Sequence, residues 1–222
     1  MALERARAAM ILAAGRGERM RPLTDTTPKP LLTVHGRSLI EHHVISLARA
    51  GLTSVVINTS WLAGQVRDHL GDGTRYGVAI RYSDEQPQAL ETAGGIFRAL
   101  RWLSPGPFLV INGDVFTDYP LGRLGVAPGR NAQLVLVDNP PHHPDGDFGL
   151  DGELAVADGT PRYTFAGIAA YRPVFFDGCT DGAFPLKPLI LRSIEAGRCG
   201  AEHYDGLWED VGTPERLERL NR

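Results

Sequence analysis

Cysteine is scarce in this chain, whose 222 residues contain only Cys179 and Cys199. Two cysteines without a recognisable export signal do not suggest a disulfide framework, so we expect both to remain reduced thiols. No apolar run approaches the roughly 20 residues that a membrane-spanning helix needs. These features argue against a secreted or membrane-embedded protein, and we expect a cytoplasmic one.

An excess of charge of one sign is also missing. The chain has 23 Lys and Arg against 26 Asp and Glu, which gives a formal net charge of -3. There is no overall positive field to attract nucleic acid or a membrane surface, so neither is expected as a partner. An anionic ligand must instead be bound by a local cluster of cations. The sequence carries no signal of oligomeric state.

The first half of the chain alternates between apolar runs and helical patterns. Its length and its 43% hydrophobic content are enough for one continuous core, and we predict a single domain over residues 1–222. The alternation predicts a mostly parallel sheet with helices on both faces. The predicted strands are 8–14, 54–58, 78–82 and 108–112, and the predicted helices are 38–50, 61–70 and 95–103.

The second half has a different texture, with short strands separated by Pro, Gly and Asp. These strands predict an antiparallel extension that lies over the sheet and the ligand. Two helices are predicted to follow them, one at 184–196 and one from Pro214 to the end, where proline suits a first helical position. The predicted short strands are 133–139, 147–150, 153–156 and 165–171.

Glycines, cations and prolines are concentrated directly after the first predicted strand, in residues 15–32. Gly15 and Gly17 allow the backbone to approach a bound phosphate closely, and exposed N–H groups there can bind an anion. Arg19 and Lys29 could supply positive charge. Prolines on both sides of Lys29 hold it in a stiff segment, as a preorganised cation requires.

Two familiar phosphate-binding motifs do not account for this segment. The Rossmann fingerprint needs a third glycine where Met20 stands, and its second strand should end in an acid, whereas here the residue is Asn58. The Walker loop needs Gly-Lys followed by Ser or Thr, and that sequence is absent.

Residues 15–30, GRGERMRPLTDTTPKP, resemble the GxGxRxxPxTxxxPKP signature of the sugar-1-phosphate nucleotidyltransferases. Every fixed position is filled, and the resemblance covers nearly the whole chain. It implies a Rossmann-like, glycosyltransferase-A-like α/β fold that transfers a nucleotidyl group from a nucleoside triphosphate to a sugar 1-phosphate. It also implies that Arg19 and Lys29 are the catalytic cations. The implied nucleotide contacts of this segment are Ala14, Gly15, Gly17, Glu18, Arg19 and Lys29.

Two acids separated by almost a hundred residues resemble the metal-binding aspartates of the same family. Asp114 stands in NGDV, after a predicted strand, and Asp210 stands in WEDVGTPERL, before the last predicted helix. Mg²⁺ typically takes one or two protein carboxylates and binds substrate phosphates with other positions. The resemblance therefore implies Mg²⁺ as cofactor, with Glu209 as an alternative to Asp210.

Residues 83–95, SDEQPQALETAGG, resemble the base-recognition segment of the family. A uracil or thymine base presents one N–H donor between two acceptors. Glu85 is the candidate acceptor and the backbone N–H of Gly94 a candidate donor, with Thr92 and Glu91 as weaker candidates.

The sugar phosphate is expected over the second half, which makes residues 1–130 the nucleotide-binding half and residues 131–222 the sugar-binding half. Carboxamides and carboxylates suit the recognition of hydroxyl groups. The candidate contacts are Asn112, Asp147, Gly149 and Gly167. The adjacent pairs His42-His43 and His142-His143 lack metal-ligand spacing and are expected to be structural or solvated.

The segments VDNPPHH, GDF, TFAGI and AEHYDGLWEDVGT are similar to one branch of the family, which transfers UMP from UTP to N-acetylmuramate 1-phosphate in peptidoglycan recycling. That sugar carries a lactyl carboxylate, for which Arg162, Lys187 and the pair His142-His143 are candidates. Two alternatives within the family are mannose 1-phosphate with GTP and glucose 1-phosphate with UTP or dTTP. An alternative of another class is a nucleotide-sugar sensor without turnover.

Overall fold

A nine-stranded mixed sheet runs through the molecule. The structure is a computed structural model, and it describes residues 3–85, 89–103 and 105–222. The described strands are β1 (Glu4–Arg5), β2 (Ala8–Leu12), β3 (Thr33–Val34), β4 (Arg37–Ser38), β5 (Ser54–Thr59), β6 (Ala79–Asp84), β7 (Phe108–Asn112), β8 (Val115–Thr117), β9 (Gly125–Val126), β10 (Ala132–Val137), β11 (Phe148–Asp151), β12 (Leu154–Val156), β13 (Arg162–Tyr171), β14 (Cys199–His203) and β15 (Trp208–Asp210). The described α-helices are α1 (Leu39–Arg49), α2 (Ala63–Leu70), α3 (Glu91–Ala99), α4 (Lys187–Glu195) and α5 (Pro214–Leu220).

Four strands of the first half form the parallel part of the sheet, in the order β7-β2-β5-β6. Strand β2 lies between β7 and β5, and its apolar sequence AAMIL is almost entirely buried, as expected for a central parallel strand. The predicted alternation of strands and helices is confirmed here. Because these strands are parallel, the polar residues that follow them lie together at one edge of the sheet.

Helices cover both faces of this parallel part. Side chains of successive strand residues point to opposite faces, so Ile11 packs with α1 on one side and Met10 packs with α3 on the other. Helix α2 joins the first side through Val66, and α4 joins the second through Ile190. The core therefore has two apolar layers, one on each face of the sheet.

The antiparallel strands of the second half differ from their predicted position. They extend the sheet at its edge rather than lying over it, because β13 pairs with residues 108–111 of β7, for example Ile168 with Ile111. The pairings β13-β10-β14-β12-β11-β13 then form a closed circuit. Only the pairing of β10 with β14 is parallel within it.

A two-stranded pairing outside the main sheet joins distant parts of the chain. Strand β15 pairs with β8, and Asp210 is opposite Val115 in the register. Helix α5 follows, with Thr213 at its N-cap and Pro214 at its first turn, as the sequence predicted. This pairing brings the end of the chain to the edge where β7 ends.

Helix α3 begins at Glu91, four residues before its predicted start at residue 95. Gly94 and Gly95 both lie inside this helix, and neighbouring groups leave no room for a Cβ at either position, which explains why both are glycine. Glu91 itself has a positive φ of 57°, which is uncommon for a residue with a side chain. Both cysteines are free thiols, as expected. Among the described residues, no helix is long and apolar enough to cross a membrane.

Candidate nucleotide-binding and metal-binding site

A cleft of about 430 Å³ lies at the edge of the sheet where β2, β5 and β7 end. Segments that are distant in the sequence meet there, including the glycine loop, the residue after β7 and the turn before α5. Of the residues predicted to bind nucleotide or metal, this cleft is lined by Ala14, Gly15, Gly17, Glu18, Arg19, Lys29, Glu85, Thr92 and Asp114. Asp210 does not line the cleft itself but lies two residues before Gly212, which does.

The glycine loop is fixed by contacts within itself. Gly17 has a φ of 67°, and its carbonyl accepts a hydrogen bond of 2.8 Å from the hydroxyl of Thr24. A Cβ at Gly17 would lie 3.0 Å from Cβ of Lys29, so glycine is needed for both conformation and space. Among the described residues, no atom lies within 4 Å of the position that a Cβ would take at Gly15. The backbone at Gly15 is therefore open to the cleft.

The same loop is held from outside by Trp61. The guanidinium carbon of Arg16 lies 3.5 Å from the centre of the Trp61 ring, a cation–π contact. Both side chains also donate to the carbonyl of Thr24, at 2.8 Å from Arg16 and 3.1 Å from Trp61. These contacts give the loop a defined shape before any phosphate arrives.

Lys29 and Asp114 form an ion pair across the cleft. Lys29 Nζ lies 2.6 Å from Asp114 Oδ2, and the lysine side chain is 12% exposed. Nearby, burial lowers the pKa of His43 to about 4, although the charge of Asp114 acts to raise it. His43 is therefore neutral near pH 7, and Lys29 supplies the positive charge next to Asp114.

The two predicted metal-binding acids are brought together by the β8–β15 pairing. The N–H of Val211 donates to the carbonyl of Asp114 at 2.8 Å, which joins the two segments directly. Asp210 Oδ1 forms an ion pair with Arg216 on α5, and His142 Nε2 lies 3.1 Å from the same oxygen. Gly212 stands beside this group, and a Cβ there would lie 3.4 Å from Arg19 Nη2 and 3.4 Å from Asp210 Oδ2.

The chemistry of these two carboxylates suits Mg²⁺, which prefers oxygen ligands. In the described part of the chain, Oδ1 of Asp114 and Oδ2 of Asp210 accept no hydrogen bond from the protein. The described residues contain no group of three or more His, Cys, Asp and Glu side chains that could hold a metal by themselves. An ion bound by this pair would therefore take further oxygens from substrate phosphates and water. Glu209, the alternative acid, instead binds Arg219 on α5.

The predicted base acceptor Glu85 is buried and fully engaged. Its Oε1 accepts from Asn58 Nδ2 at 2.7 Å, and its Oε2 accepts from the N–H of Leu90 at 2.9 Å. Asn58 in turn accepts from the N–H of Ala13 at 2.7 Å. This chain of hydrogen bonds joins the end of β2 to the base segment, whose residues 86–88 lie outside the described residues.

Helix α3 places its first residues at the cleft and its glycine pair away from it. Glu91 and Thr92 line the cleft, whereas Gly94 does not. The N–H of Gly94, the predicted base donor, lies 3.2 Å from the carbonyl oxygen of Phe184 and donates to it. A Cβ at Gly95 would lie 2.4 Å from Glu85 Oε1, so this glycine leaves room for the buried carboxylate.

A second cleft of about 420 Å³ adjoins the first and shares Glu91, Thr92 and Asn112 with it. Of the predicted sugar contacts, Asn112 and Asp147 line this second cleft. Gly167 supports it from behind, because a Cβ there would lie 2.5 Å from Asn112 Nδ2. Gly149 packs against the backbone of Gly159 and does not line either cleft.

Asp147 is held from several sides. Its Oδ2 accepts from the N–H of Phe165 at 3.0 Å and lies 3.3 Å from His143 Nε2. In the loop of residues 140–147, His143 therefore contacts Asp147 and His142 contacts Asp210. Each histidine contacts a carboxylate, and neither lines either cleft. The expectation that they are structural or solvated stays a prediction.

Asn58 and Arg216 are site residues that sequence reasoning missed. Asn58 is the penultimate residue of β5, near the edge where parallel sheets bind ligands, and that position was the available signal. Arg216 lies in the first turn of α5, and only the fold brings its side chain back to Asp210. His142 had no usable signal, because its partner is 68 residues away in a pairing the sequence does not show.

Comparison with known proteins agrees with this geometry. Residues 8–151 match the family model described as nucleotidyl transferase. The chain is 50% identical to the N-acetylmuramate alpha-1-phosphate uridylyltransferase of Neisseria meningitidis serogroup B, over 95% of both chains. It is 34% identical to the protein of the same name from Caulobacter vibrioides, over 93% of this chain and 92% of that one.

The fold is also similar to solved structures. A Bacillus anthracis protein, provisionally named a glucose-1-phosphate thymidylyltransferase and solved with sucrose, has a TM-score of 0.83 at 23% identity, covering 96% of this chain and 93% of that one. The inositol-1-phosphate CTP transferase of T. maritima has a TM-score of 0.78 at 18% identity, covering 98% and 97%. These likenesses confirm the expected glycosyltransferase-A-like α/β fold. The chain thus belongs to the nucleotidyltransferase family, within the group that acts on sugar 1-phosphates.

Proposed function

We propose that this chain transfers UMP from UTP to N-acetylmuramate 1-phosphate, giving UDP-N-acetylmuramate and pyrophosphate, as a cytoplasmic step of peptidoglycan recycling. The observation that carries the reaction type is the meeting of the glycine loop, Lys29 and Asp114 at one cleft, with Asp210 beside Gly212, which also lines it. The choice of nucleotide and sugar is supported by the 50% identity to the N. meningitidis enzyme of that name.

The reaction needs positioning and charge neutralisation more than acid–base chemistry. An oxygen of the sugar phosphate attacks the α-phosphorus of UTP in line, and the bond to pyrophosphate breaks. A phosphate anion is already a nucleophile, so no general base and no covalent enzyme intermediate are required. Arg19 and Lys29 line the cleft and would balance the charge that develops on the phosphate oxygens.

Asp114 and Asp210 would hold Mg²⁺, which supplies Lewis-acid stabilisation of the phosphate oxygens when bound. Both acids are paired with protein cations, Asp114 with Lys29 and Asp210 with Arg216. Lys29 pairs with Asp114 and also lines the cleft, where it would contact a bound phosphate. The backbone of Gly15, open to the cleft, would approach the triphosphate.

Two adjoining clefts are what a transfer between two ligands requires. We assign the first to UTP, with Ala14, Glu18 and Thr92 around the nucleotide. The buried Glu85, hydrogen-bonded to Asn58 and Leu90, forms the wall of this cleft behind the base. We assign the second to the sugar, with Asn112 and Asp147 as hydroxyl contacts. Residues 1–130 then form the nucleotide-binding half of a single domain, and residues 131–222 contribute most of the sugar-binding half.

Rival assignments differ in measurable ways. A mannose-1-phosphate guanyltransferase of Emericella nidulans is 30% identical over 93% of this chain, although this covers only 61% of that protein. The same geometry would serve mannose 1-phosphate with GTP or glucose 1-phosphate with UTP or dTTP. A nucleotide-sugar sensor would have little use for the ion-paired lysine and the two adjacent acids.

A nucleotide screen tests the proposal. The protein would be incubated with N-acetylmuramate 1-phosphate, Mg²⁺ and one of UTP, dTTP, GTP or CTP, and pyrophosphate and the nucleotide sugar would be measured. We expect pyrophosphate and UDP-N-acetylmuramate with UTP. Binding of UTP without any pyrophosphate release would favour a sensor, and preferred turnover of GTP would overturn the assignment of the base.

A further inference from the structure

The second cleft combines an apolar wall with a single cation. Among its described lining residues, Lys187 is the only Lys, Arg or His. The wall beside it includes Phe148, Leu186 and Ile190. A cation beside an apolar wall can bind a substituent that carries both a carboxylate and a methyl group. The phosphate that all the candidate substrates share could also pair with this cation, so the test must separate the two contacts.

The ammonium group of Lys187 is held near the cleft but keeps its donors. Lys187 is the first residue of α4, and its side chain is 60% exposed. Its Nζ lies 3.6 Å from Asp147 Oδ1 and 6.0 Å from the centre of the Phe148 ring. The first distance is that of an ion pair and is too long for a hydrogen bond. Within the described part of the chain, Nζ donates no hydrogen bond.

The other candidate cations are committed elsewhere. Arg162 donates to the carbonyl of Asp147 at 2.7 Å and to the carbonyl of Ala157 at 3.2 Å, and it does not line the second cleft. His142 contacts Asp210, and His143 contacts Asp147. Of the four candidate cations, only Lys187 lines the second cleft, and its ammonium group still has N–H groups that can donate hydrogen bonds.

We propose that Lys187 is a specificity-determining residue that binds the carboxylate of the lactyl ether of the sugar, while the wall of Phe148, Leu186 and Ile190 contacts its methyl group. This inference rests on the proposed function, because it concerns the same sugar site. The lactyl ether is the only difference between N-acetylmuramate 1-phosphate and N-acetylglucosamine 1-phosphate. Lys187 therefore acts on one substrate of this pair and is indifferent to the other.

The test compares these two substrates in Lys187→Gln, with UTP and Mg²⁺ at fixed concentrations. We expect kcat/KM for N-acetylmuramate 1-phosphate to fall by roughly ten- to a hundredfold. We expect kcat/KM for N-acetylglucosamine 1-phosphate to change by less than about threefold. Lys187→Arg should recover part of the loss because it keeps the charge. Arg198→Gln, an exposed cation just beyond the end of α4, serves as the matched control and should leave both values unchanged.

The outcomes separate this inference from the function on which it rests. An equal loss with both substrates would mean that Lys187 binds the shared phosphate or supports the fold, and would overturn the inference. No loss with either substrate would overturn it as well. In both cases a wild-type preference for N-acetylmuramate 1-phosphate would leave the proposed function intact. If the wild-type protein lacked that preference, the proposed function would fail first.

Discussion

Lys29 Nζ lies 2.6 Å from Asp114 Oδ2, so the cation of the glycine loop and the acid after β7 form one unit although they are 85 residues apart. The lysine side chain is 12% exposed and the aspartate side chain is 32% exposed, so the pair is partly shielded from solvent. Substituting either residue leaves the other partly buried and unpaired, so the two substitutions should not be additive. Effects at this pair need to be interpreted together.

The acid pair is the first target for substitution. Asp114→Asn and Asp210→Asn should each lower turnover by at least about a hundredfold with the fold intact, because each removes charge from the proposed Mg²⁺ site. Pyrophosphate release at saturating Mg²⁺ is the measurement, with circular dichroism to check folding. Asp68→Asn, at an exposed position of α2, is the matched control and should be silent. Near-normal turnover in either site variant would contradict the metal assignment.

Lys29 should act mainly on the transition state. We expect Lys29→Ala to lower kcat by about tenfold or more, and by a larger factor than it raises KM for UTP, because charge develops near the reacting phosphorus. Steady-state kinetics with UTP varied at a saturating concentration of the sugar phosphate separates the two parameters. A change in KM alone would reassign Lys29 to ground-state binding of the triphosphate.

Gly95 should be intolerant of even one added methyl group. A Cβ there would lie 2.4 Å from Glu85 Oε1, which is hydrogen-bonded to Asn58 and cannot swing away freely. Gly95→Ala should therefore cost about 1 to 3 kcal/mol of unfolding free energy and raise KM for UTP. Thermal unfolding and steady-state kinetics measure the two effects.

Gly64→Ala is the matched helical control, because no atom of the described residues lies within 4 Å of its Cβ position. Alanine is the better helix former, so this variant should be unchanged or up to about 1 kcal/mol more stable. Equal stability of the two variants would show that the wall built on Glu85 is not tightly packed.

Glu41 should make stability depend on acid pH. Burial acts to raise the pKa of this carboxyl, but hydrogen bonds from Tyr76, Ser38 and His69 outweigh it and lower the pKa to about 2. Arg75 lies against Tyr76 and adds positive charge nearby. A carboxyl with a lowered folded-state pKa contributes stability above its unfolded value, near 4.5, and loses it as the pH falls toward 2.

Glu41→Gln tests this dependence. We expect the variant to be less stable than the wild type at pH 7 by on the order of 2 kcal/mol, a difference of roughly 4 to 8 °C in Tm. The difference should shrink between about pH 4.5 and pH 2. Thermal unfolding of both proteins across this range provides the measurement. A gap between wild type and variant that does not depend on pH would contradict the role given to the carboxylate.

The parallel part of the fold was predictable because its signals are local. The apolar run that becomes β2 ends at glycines, and α1 carries its own capping box between Ser38 and Glu41. Strand β14 escaped prediction because its sequence, CGAEH, is neither strongly apolar nor rich in β-branched residues. The position of β13 beside β7 depends on pairing between distant segments, which no local pattern encodes.

The residues of the site also fall into two groups, those with a local sequence signal and those without one. The glycine loop and the two acids stand out because they occur in recognisable local motifs. Asn58 and Arg216 act through contacts that exist only in the fold, with Glu85 and Asp210 respectively. Gly94, the predicted base donor, was chosen from a local motif, but the structure gives another reason for a glycine at this position. A Cβ there would clash with the carbonyl oxygen of Gly182. The proposed contact of Gly94 with the base stays a prediction.

A competition among sugar phosphates tests the central claim most directly. With UTP and Mg²⁺, pyrophosphate release would be measured for the 1-phosphates of N-acetylmuramate, N-acetylglucosamine, glucose and mannose at equal, subsaturating concentrations. We expect N-acetylmuramate 1-phosphate to be turned over fastest, by roughly tenfold or more over N-acetylglucosamine 1-phosphate. Faster turnover of glucose or mannose 1-phosphate would contradict this claim.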